Sequence, residues 1–515
     1  MTITSDAGAR LGWNLAAGVA STSWTALVAL ATVPLYLRYL GIEAYGLIGF
    51  FTAMQALFAL LEVGLAQTVN REVARTSTLD ERRQARDLLH TLAVGYWAVA
   101  ALIALITWAA APLVARYWLT SAAIPAESVS RAVMLMGLIV ACRFPLSLYL
   151  GALMGARRMV LASGIEIVMV TLANLGAIAI LALLSRTIQA FFVWQALVGL
   201  LNVAVVRAAA WRAIRMEEGA SAPRFDATGL RRIWRFSAAI AVTAILGTLF
   251  VQGDKVILSK IVSLGDLGRY TLAGIAARSL YVLVAPVFGV IYPQMAALHA
   301  AGDTDEIERL YRSGTRLMMA AIFPVAFFIG VFSTDIFTLW TGDVQLAERI
   351  GTVVRLLLFG TALNGAMHFP YALQLAYGKS NLAMAINLTL VIIFAPLLVL
   401  LSVRHGITGA AAAWAILNFL YLVLGTWLTH RTMLRGLGTR WILADVGIPF
   451  LIGLVLVGGG GVATQHLHLE LPARMFFGVL LTGVAFLAVY PLSPGLAGFA
   501  SRLFTPQSTL LSQRT

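Results

Sequence analysis

The chain alternates long apolar runs with short polar breaks, and the runs recur about fourteen times. Each is of the length that carries an α-helix across about 30 Å of hydrocarbon at 1.5 Å per residue, so the pattern predicts about fourteen transmembrane helices. Numbered in chain order, spans 1 to 6 are Trp13 to Leu37, Tyr45 to Gln67, Leu89 to Val114, Ala132 to Met154, Val160 to Leu184 and Ile188 to Val206. Spans 7 to 12 are Phe236 to Leu258, Leu272 to Met295, Leu317 to Phe332, Ile350 to Leu373, Leu382 to Leu401 and Ile407 to Leu428. Spans 13 and 14 are Ile442 to Val462 and Met475 to Tyr490. The first run is too long, and too poor in preceding positive charge, for a cleaved signal peptide, so it counts as a spanning helix.

The longest polar interruption, Arg207 to Arg235, holds seven arginines and separates two similar halves. Asp80-Glu81 recurs as Asp305-Glu306, Tyr45 as Tyr270, and Arg143-Phe144-Pro145 as His368-Phe369-Pro370, each pair 225 positions apart. A constant offset at three separate places predicts a duplicated unit. Six spans per copy is an even number, so both copies enter the membrane from the same side and form a parallel repeat about an axis along the membrane normal. The expected organisation is an N-lobe over residues 1–206, a cytoplasmic connector over 207–235, a C-lobe over 236–430, and residues 431–515 holding spans 13 and 14 and a tail. The fold class is therefore an all-α membrane protein, two parallel six-helix repeats around a central cavity with two extra C-terminal helices.

Composition agrees with a bilayer. At 60% hydrophobic and 12% charged residues, with mean hydropathy +0.87, the chain has too little polar surface for soluble domains. The net charge of +14 raises the question of nucleic acid, and the placement of the basic residues answers it. Loops after even spans, with both termini, hold 24 of the 37 Lys and Arg, and the opposite face holds 10. The positive-inside rule puts both termini and the connector in the cytoplasm, and charge spread over short loops faces anionic lipid rather than nucleic acid. The single cysteine, Cys142, excludes an internal disulfide.

Charges inside the spans carry the functional signal, because each costs about 2.5–3.5 kcal/mol at a helix centre unless it faces protein or water. Glu62, Arg143, Glu166, Asp254, Lys255, Arg278, Arg355 and His368 are of this kind. Polar side chains share helical faces with several: Gln55 lies seven before Glu62, Thr243 eleven before Asp254, and Asn14, Ser21, Thr25 and Thr32 stripe span 1. The plain alternative is that Glu62 pairs with Arg143, and Asp254 with Arg278, as structural glue. Arg355 is close enough to a helix end to snorkel. Pro145 and Pro370 kink their spans, and their equivalent positions predict hinges. Gly378-Lys379-Ser380 lacks the first glycine and the strand of a phosphate-binding loop. His466, His468 and Glu470 lack a completed coordination shell, so no metal is assigned. No nucleophile, base and orienting group assemble, which points to a transporter without its own ATPase rather than an enzyme.

Asn14, Ser21, the run from Pro34 to Leu47, Asp254-Lys255-Val256-Ile257-Leu258 and Gly302-Asp303 with Glu308-Arg309-Leu310-Tyr311 resemble the polysaccharide-transport branch of the multidrug/oligosaccharidyl-lipid/polysaccharide exporter superfamily. The resemblance covers essentially the whole chain. It implies two six-helix lobes, a cavity opening alternately to each side, and export of a polyprenyl-diphosphate-linked oligosaccharide across the bacterial inner membrane, for O-antigen or exopolysaccharide. On that reading Arg143, Arg278, Lys255 and Arg355 meet the diphosphate, arginine being suited by its forked donors. Glu62, Asp254 and Glu166 serve ion coupling or structural pairing. Asn14, Ser21, Thr25, Gln55 and Thr243 line the cavity. Membrane lipids and the polysaccharide polymerase and chain-length machinery are the expected partners, the protein acts as a monomer, and nothing beyond a coupling proton or sodium ion is needed as cofactor. A cation-coupled drug or metabolite antiporter of the same superfamily is the alternative, made weaker by the absence of an acidic residue in span 1.

Overall fold

The computed structural model describes residues 3–62, 65–76, 78–214, 224–225, 252–467 and 469–489. Among these residues the chain is helical apart from short turns and one isolated bridge, Thr120 to Ser263. Eleven helices among the described residues are long and apolar enough to cross a membrane. Two of them carry two spans each. Ile3–Ala59 holds spans 1 and 2 and breaks at Gly41 (φ 80°, ψ 173°). Ser380–Leu420 holds span 11 and most of span 12 and breaks at Gly406 (φ 58°, ψ −137°). Both backbone conformations are ones a Cβ strains, so glycine is what lets the chain leave one span and enter the next without a loop. Span 7 is described only over 252–261, which completes the fourteen.

The chain divides into two compact units, Met1–Gly268 and Arg269–Thr515. In the first, Leu79–Leu113 carries span 3, Ala126–Gly155 span 4, Met159–Leu183 span 5 and Ile188–Ala213 span 6. Span 4 packs on spans 3 and 6, and span 1 on span 5. Residues 252–268 join this unit through its far end. The Trp118 indole donates to Ser259 (2.9 Å), the Lys260 ammonium to the Tyr117 carbonyl, and the Leu264 amide to the Thr120 carbonyl (2.8 Å).

In the second unit, span 8 runs over Leu264–Ser279, which begins five residues before Arg269, and Tyr281–Ala300. Span 9 is Thr304–Val331, and span 10 runs over Val344–Ala366 and His368–Ala376. Span 13 lies within Gly438–His466, and span 14 is Leu471–Val489. Spans 13 and 14 pack on span 9 with glycines at the contact: Gly453 faces Phe327, Gly461 faces Val331 and Phe332, and Gly478 faces Phe328 and Phe332. Small residues let the helix backbones approach where lipid supplies no hydrophobic drive.

The duplication is visible in the caps. Thr78 starts span 3 with a capping box, its hydroxyl accepting from the Glu81 amide (3.2 Å) and the Glu81 carboxylate accepting from the Thr78 amide (3.0 Å). Asp303, 225 positions on, starts span 9 by accepting from the Glu306 amide (3.0 Å). These side chains satisfy amides that a helix start leaves without partners.

Two expected continuous helices are interrupted. Span 2 ends as an α-helix at Ala59, passes through a 3₁₀ turn at Leu60–Glu62 and resumes as Leu65–Ala74. Span 10 breaks at Met367 (ψ −9°). Pro370 explains that break: it has no N–H for the Ala366 carbonyl, and placing it third in the new helix puts the missing donor where none is required. Pro145, by contrast, sits inside the unbroken Ala126–Gly155.

Candidate substrate site

In the first unit, spans 2 and 4 present matching polar faces. Thr52, Gln55, Ala56 and Ala59 share one helical face, at positions i, i+3, i+4 and i+7, as do Val140, Arg143, Phe144 and Ser147 on span 4. With Glu62 and Phe58 they line a cavity of about 370 Å³. Arg143 Nη1 donates to Gln55 Oε1 (3.1 Å), and Gln55 Nε2 is buried without a partner. The 3₁₀ turn that brings Glu62 into the wall is tied by the Tyr96 hydroxyl, which donates to the Glu62 carbonyl (3.3 Å). Glu62 and Arg143 share the cavity yet form no ion pair, so the structural-glue alternative does not describe them. A guanidinium held by a neutral amide keeps its charge, and most of its donors, for something else.

Other sequence-predicted residues of this unit are engaged elsewhere. The buried Ser21 hydroxyl donates to Glu166 Oε2 (2.8 Å), and the Trp24 indole to Thr171 Oγ1 (2.8 Å), so this part of the span 1 stripe closes the seam with span 5. Thr25 Oγ1 is buried without a partner, and Asn14 is half-buried. Lys255 is buried, its Nζ donating to Gln252 Oε1 (3.1 Å), and its amide donates to Asp254 Oδ1 (2.7 Å). Thr243 lies outside the described residues.

In the second unit, Arg278 ends Leu264–Ser279 half-buried, its guanidinium folded back beside Gly274. Next to it in sequence begins an aromatic wall that the charge pattern missed. Phe288 stacks on Tyr292 and on Tyr371, each at 6.0 Å between ring centroids, and meets the His368 ring at 5.9 Å. His368 Nδ1 bonds the Asn364 carbonyl (3.2 Å), which also accepts from the Met367 amide (3.0 Å) at the break. Tyr281 donates to Asn364 Oδ1 (3.0 Å), and Asn364 to Asn418 Oδ1 (2.8 Å). The signal available in sequence was the spacing of Tyr281, Phe288 and Tyr292, seven and then four residues apart on one helical face. Arg355 lies beside Gly330 and Gly351, its Nη2 donating to Thr352 Oγ1 (3.3 Å).

A further intramembrane charge was passed over. Asp445, three residues into span 13, is fully buried and accepts from Arg312 Nε (3.0 Å) and from Arg316 Nε. Arg312 also pairs with Glu308 (3.6 Å). Beside the clamp, the Tyr311 hydroxyl meets His430 Nε2 (2.8 Å), and the Trp441 indole donates to Thr315 (3.1 Å). Spans 9, 12 and 13 are thus locked together by buried polar contacts at one end.

Repeated six-span copies, a charged and incompletely bonded cavity at membrane depth, and two helices added at the end define a multi-pass membrane protein of transporter architecture. Over residues 11–299, more than half of its length, the chain matches the family described as polysaccharide biosynthesis protein, and it belongs to that family. It is 23% identical over 201 residues to a Shigella flexneri protein named for O-antigen transport, covering 39% of this chain and 47% of that one. It is 24% identical over 223 residues to a Haloferax volcanii protein named as a flippase of low-salt glycan biosynthesis, covering 43% and 46%. The matches span about half the length of these relatives. Its fold is that of a solved lipid II flippase, MurJ, in an inward closed conformation: TM-score 0.73, 10% identity, 92% of this chain and 98% of that one.

Proposed function

We infer that the protein is a flippase. It moves a polyprenyl-diphosphate-linked oligosaccharide from the inner to the outer leaflet of the bacterial inner membrane, by alternating access, for surface polysaccharide biosynthesis. The observation that carries this reading is Arg143, a guanidinium inside the membrane-spanning region that faces a cavity and is held by Gln55 rather than by a carboxylate. A cation at that depth is costly, and an anionic ligand is the partner that offsets the cost. The fork of donors on an arginine fits phosphate oxygens.

The volume, about 370 Å³, is at the small end of ligand pockets, so it takes a head-group fragment rather than a whole glycan. Sugar hydroxyls cost several kcal/mol in hydrocarbon without partners, which calls for a polar path. The aromatic wall of Phe288, Tyr292 and Tyr371, half-buried, offers faces for sugar rings. The polyprenyl chain stays in the bilayer while the head group turns over. An inside-negative potential favours outward movement of each negative charge by about 2.3 kcal/mol per 100 mV. Glu62, in the same wall as Arg143, is placed to take a proton when the cavity empties. Both termini face the cytoplasm on the distribution of basic residues.

The test is removal of the protein from its native host followed by analysis of lipid extracts. One polyprenyl-diphosphate oligosaccharide should accumulate, accessible only from the cytoplasmic side, while its polymer disappears from the surface. Unchanged lipid-linked sugars together with lost export of a small cation would instead support an antiporter.

A further inference from the structure

Arg157 stands at the junction of two cavities that the transport reading does not use. On one side is a polar pocket of about 420 Å³, walled by Thr76, Arg82, Arg157 and the end of span 6 at Ala213 and Ile214. On the other is an open groove of about 780 Å³ along span 5, lined by Val160, Leu161, Gly164, Ile165 and Val168 with Arg158 at its mouth. Those five groove positions fall on one helical face. Charge at one end and hydrocarbon at the other is the distribution of a phospholipid.

Three observations point to an occupant. Neither Arg82 nor Arg157 has an ion pair or side-chain hydrogen bond among the described residues, although acidic groups lie nearby in sequence. Asp80 is taken by Arg83, and Asp87 accepts from the Arg224 amide. Glu166, on span 5, accepts from Ser21. Arg157 is, among the described residues, the one non-glycine in the left-handed region (φ 58°). That position follows the end of span 4, where glycine is the residue of least strain, so the side chain is kept at a cost to the backbone. Finally, a Cβ added at Gly164 would meet nothing within 4 Å, so the groove is open where an acyl chain would lie.

We propose that this site binds an anionic phospholipid of the inner leaflet, its phosphodiester between Arg82 and Arg157 and one acyl chain along span 5. Basic pockets between transmembrane helices at the cytoplasmic surface are suited to acidic lipid head groups. The excess of basic residues on this face places it there.

The purified full chain in detergent would be titrated with phosphatidylglycerol and with phosphatidylcholine of the same acyl length, and retained lipid counted by native mass spectrometry. Phosphatidylglycerol should be retained at least tenfold more tightly. Arg157→Gly should lose most of that preference while melting no lower than the parent, because it removes the left-handed strain. Arg82→Gln should lose it too. Gly164→Phe should weaken phosphatidylglycerol retention by filling the groove with the arginines intact. Equal retention of the two lipids, or a preference that survives Arg157→Gly, would overturn the proposal. So would displacement of phosphatidylglycerol by glycerol phosphate at the same concentration, which would make this an anion pocket without a lipid groove. Displacement by a polyprenyl phosphate at matched concentration would overturn it as well, by making the site a station for the transported lipid.

Discussion

The two copies of the repeat use equivalent positions in opposite ways. In copy one, Arg143 precedes Phe144-Pro145 on an unbroken helix and reaches across a cavity to Gln55 of span 2. In copy two, His368 precedes Phe369-Pro370 at a helix break and turns back to the carbonyl of Asn364 on its own span. A second pair of equivalents lies near the starts of the helices that carry spans 3 and 9. Asp87 accepts from the backbone of Arg224 in the connector, whereas Arg312, 225 positions later, holds the carboxylate of Asp445 in span 13. Duplication therefore preserves the places where the chain is anchored or presents a polar group, while the charge at each place has diverged. One copy carries an exposed cation into a cavity, and the other carries an imidazole ring into an aromatic wall. On the function proposed above, the first serves the phosphate and the second the sugar rings.

The comparison is broken most severely at the clamps. Asp445→Ala leaves Arg312 and Arg316 without their buried partner, and such losses cost about 3–5 kcal/mol, here about 3 because Arg312 keeps Glu308. Asp87→Ala removes an exposed hydrogen bond to a backbone amide and should cost under about 1 kcal/mol. Thermal melts of the two variants in one detergent would separate them clearly, and equal destabilisation would mean that the anchors are not differently built. The next effect is on transport. His368→Ala removes one hydrogen bond to a carbonyl and two ring contacts, with Tyr281 and Phe288, worth about 1 kcal/mol together, so flipping should fall less than about tenfold. A total loss would give His368 a role equal to that of Arg143. The smallest difference between equivalent positions belongs to the caps. Thr78→Ala and Asp303→Ala should each cost about 1 kcal/mol, and nearly the same amount, since both remove one acceptor for the first turn of an equivalent helix.

The sequence carried the spans, the 225-residue offset and the charged positions, because each rests on local hydropathy or on identity at a fixed distance. The glycine bends at Gly41 and Gly406 fall between spans drawn from hydropathy alone. What could not be read were features that depend on which helices touch. Ser21 looked like a cavity residue until its partner Glu166 was placed opposite it on span 5. Asp445 lay in a run so apolar that a single carboxylate near its start drew no attention, and only the approach of span 9 reveals why it is tolerated. The interruption after Ala59 likewise turns on the Tyr96 hydroxyl of another span. The proline triplets were visible, but a proline kinks or breaks a helix according to its neighbours, and here Pro145 and Pro370 differ.

The central claim is that Arg143 receives the anionic head group, and the direct measurement is flipping by Arg143→Ala beside Glu62→Gln at matched protein levels in membranes. Loss of a charge-assisted hydrogen bond, about 1.5–3 kcal/mol, predicts that Arg143→Ala lowers transport by tenfold or more and strands the lipid-linked oligosaccharide on the inner leaflet. Glu62→Gln should retain a measurable fraction of the parental rate. Full surface polysaccharide in Arg143→Ala, with transport abolished only by Glu62→Gln, would contradict the account.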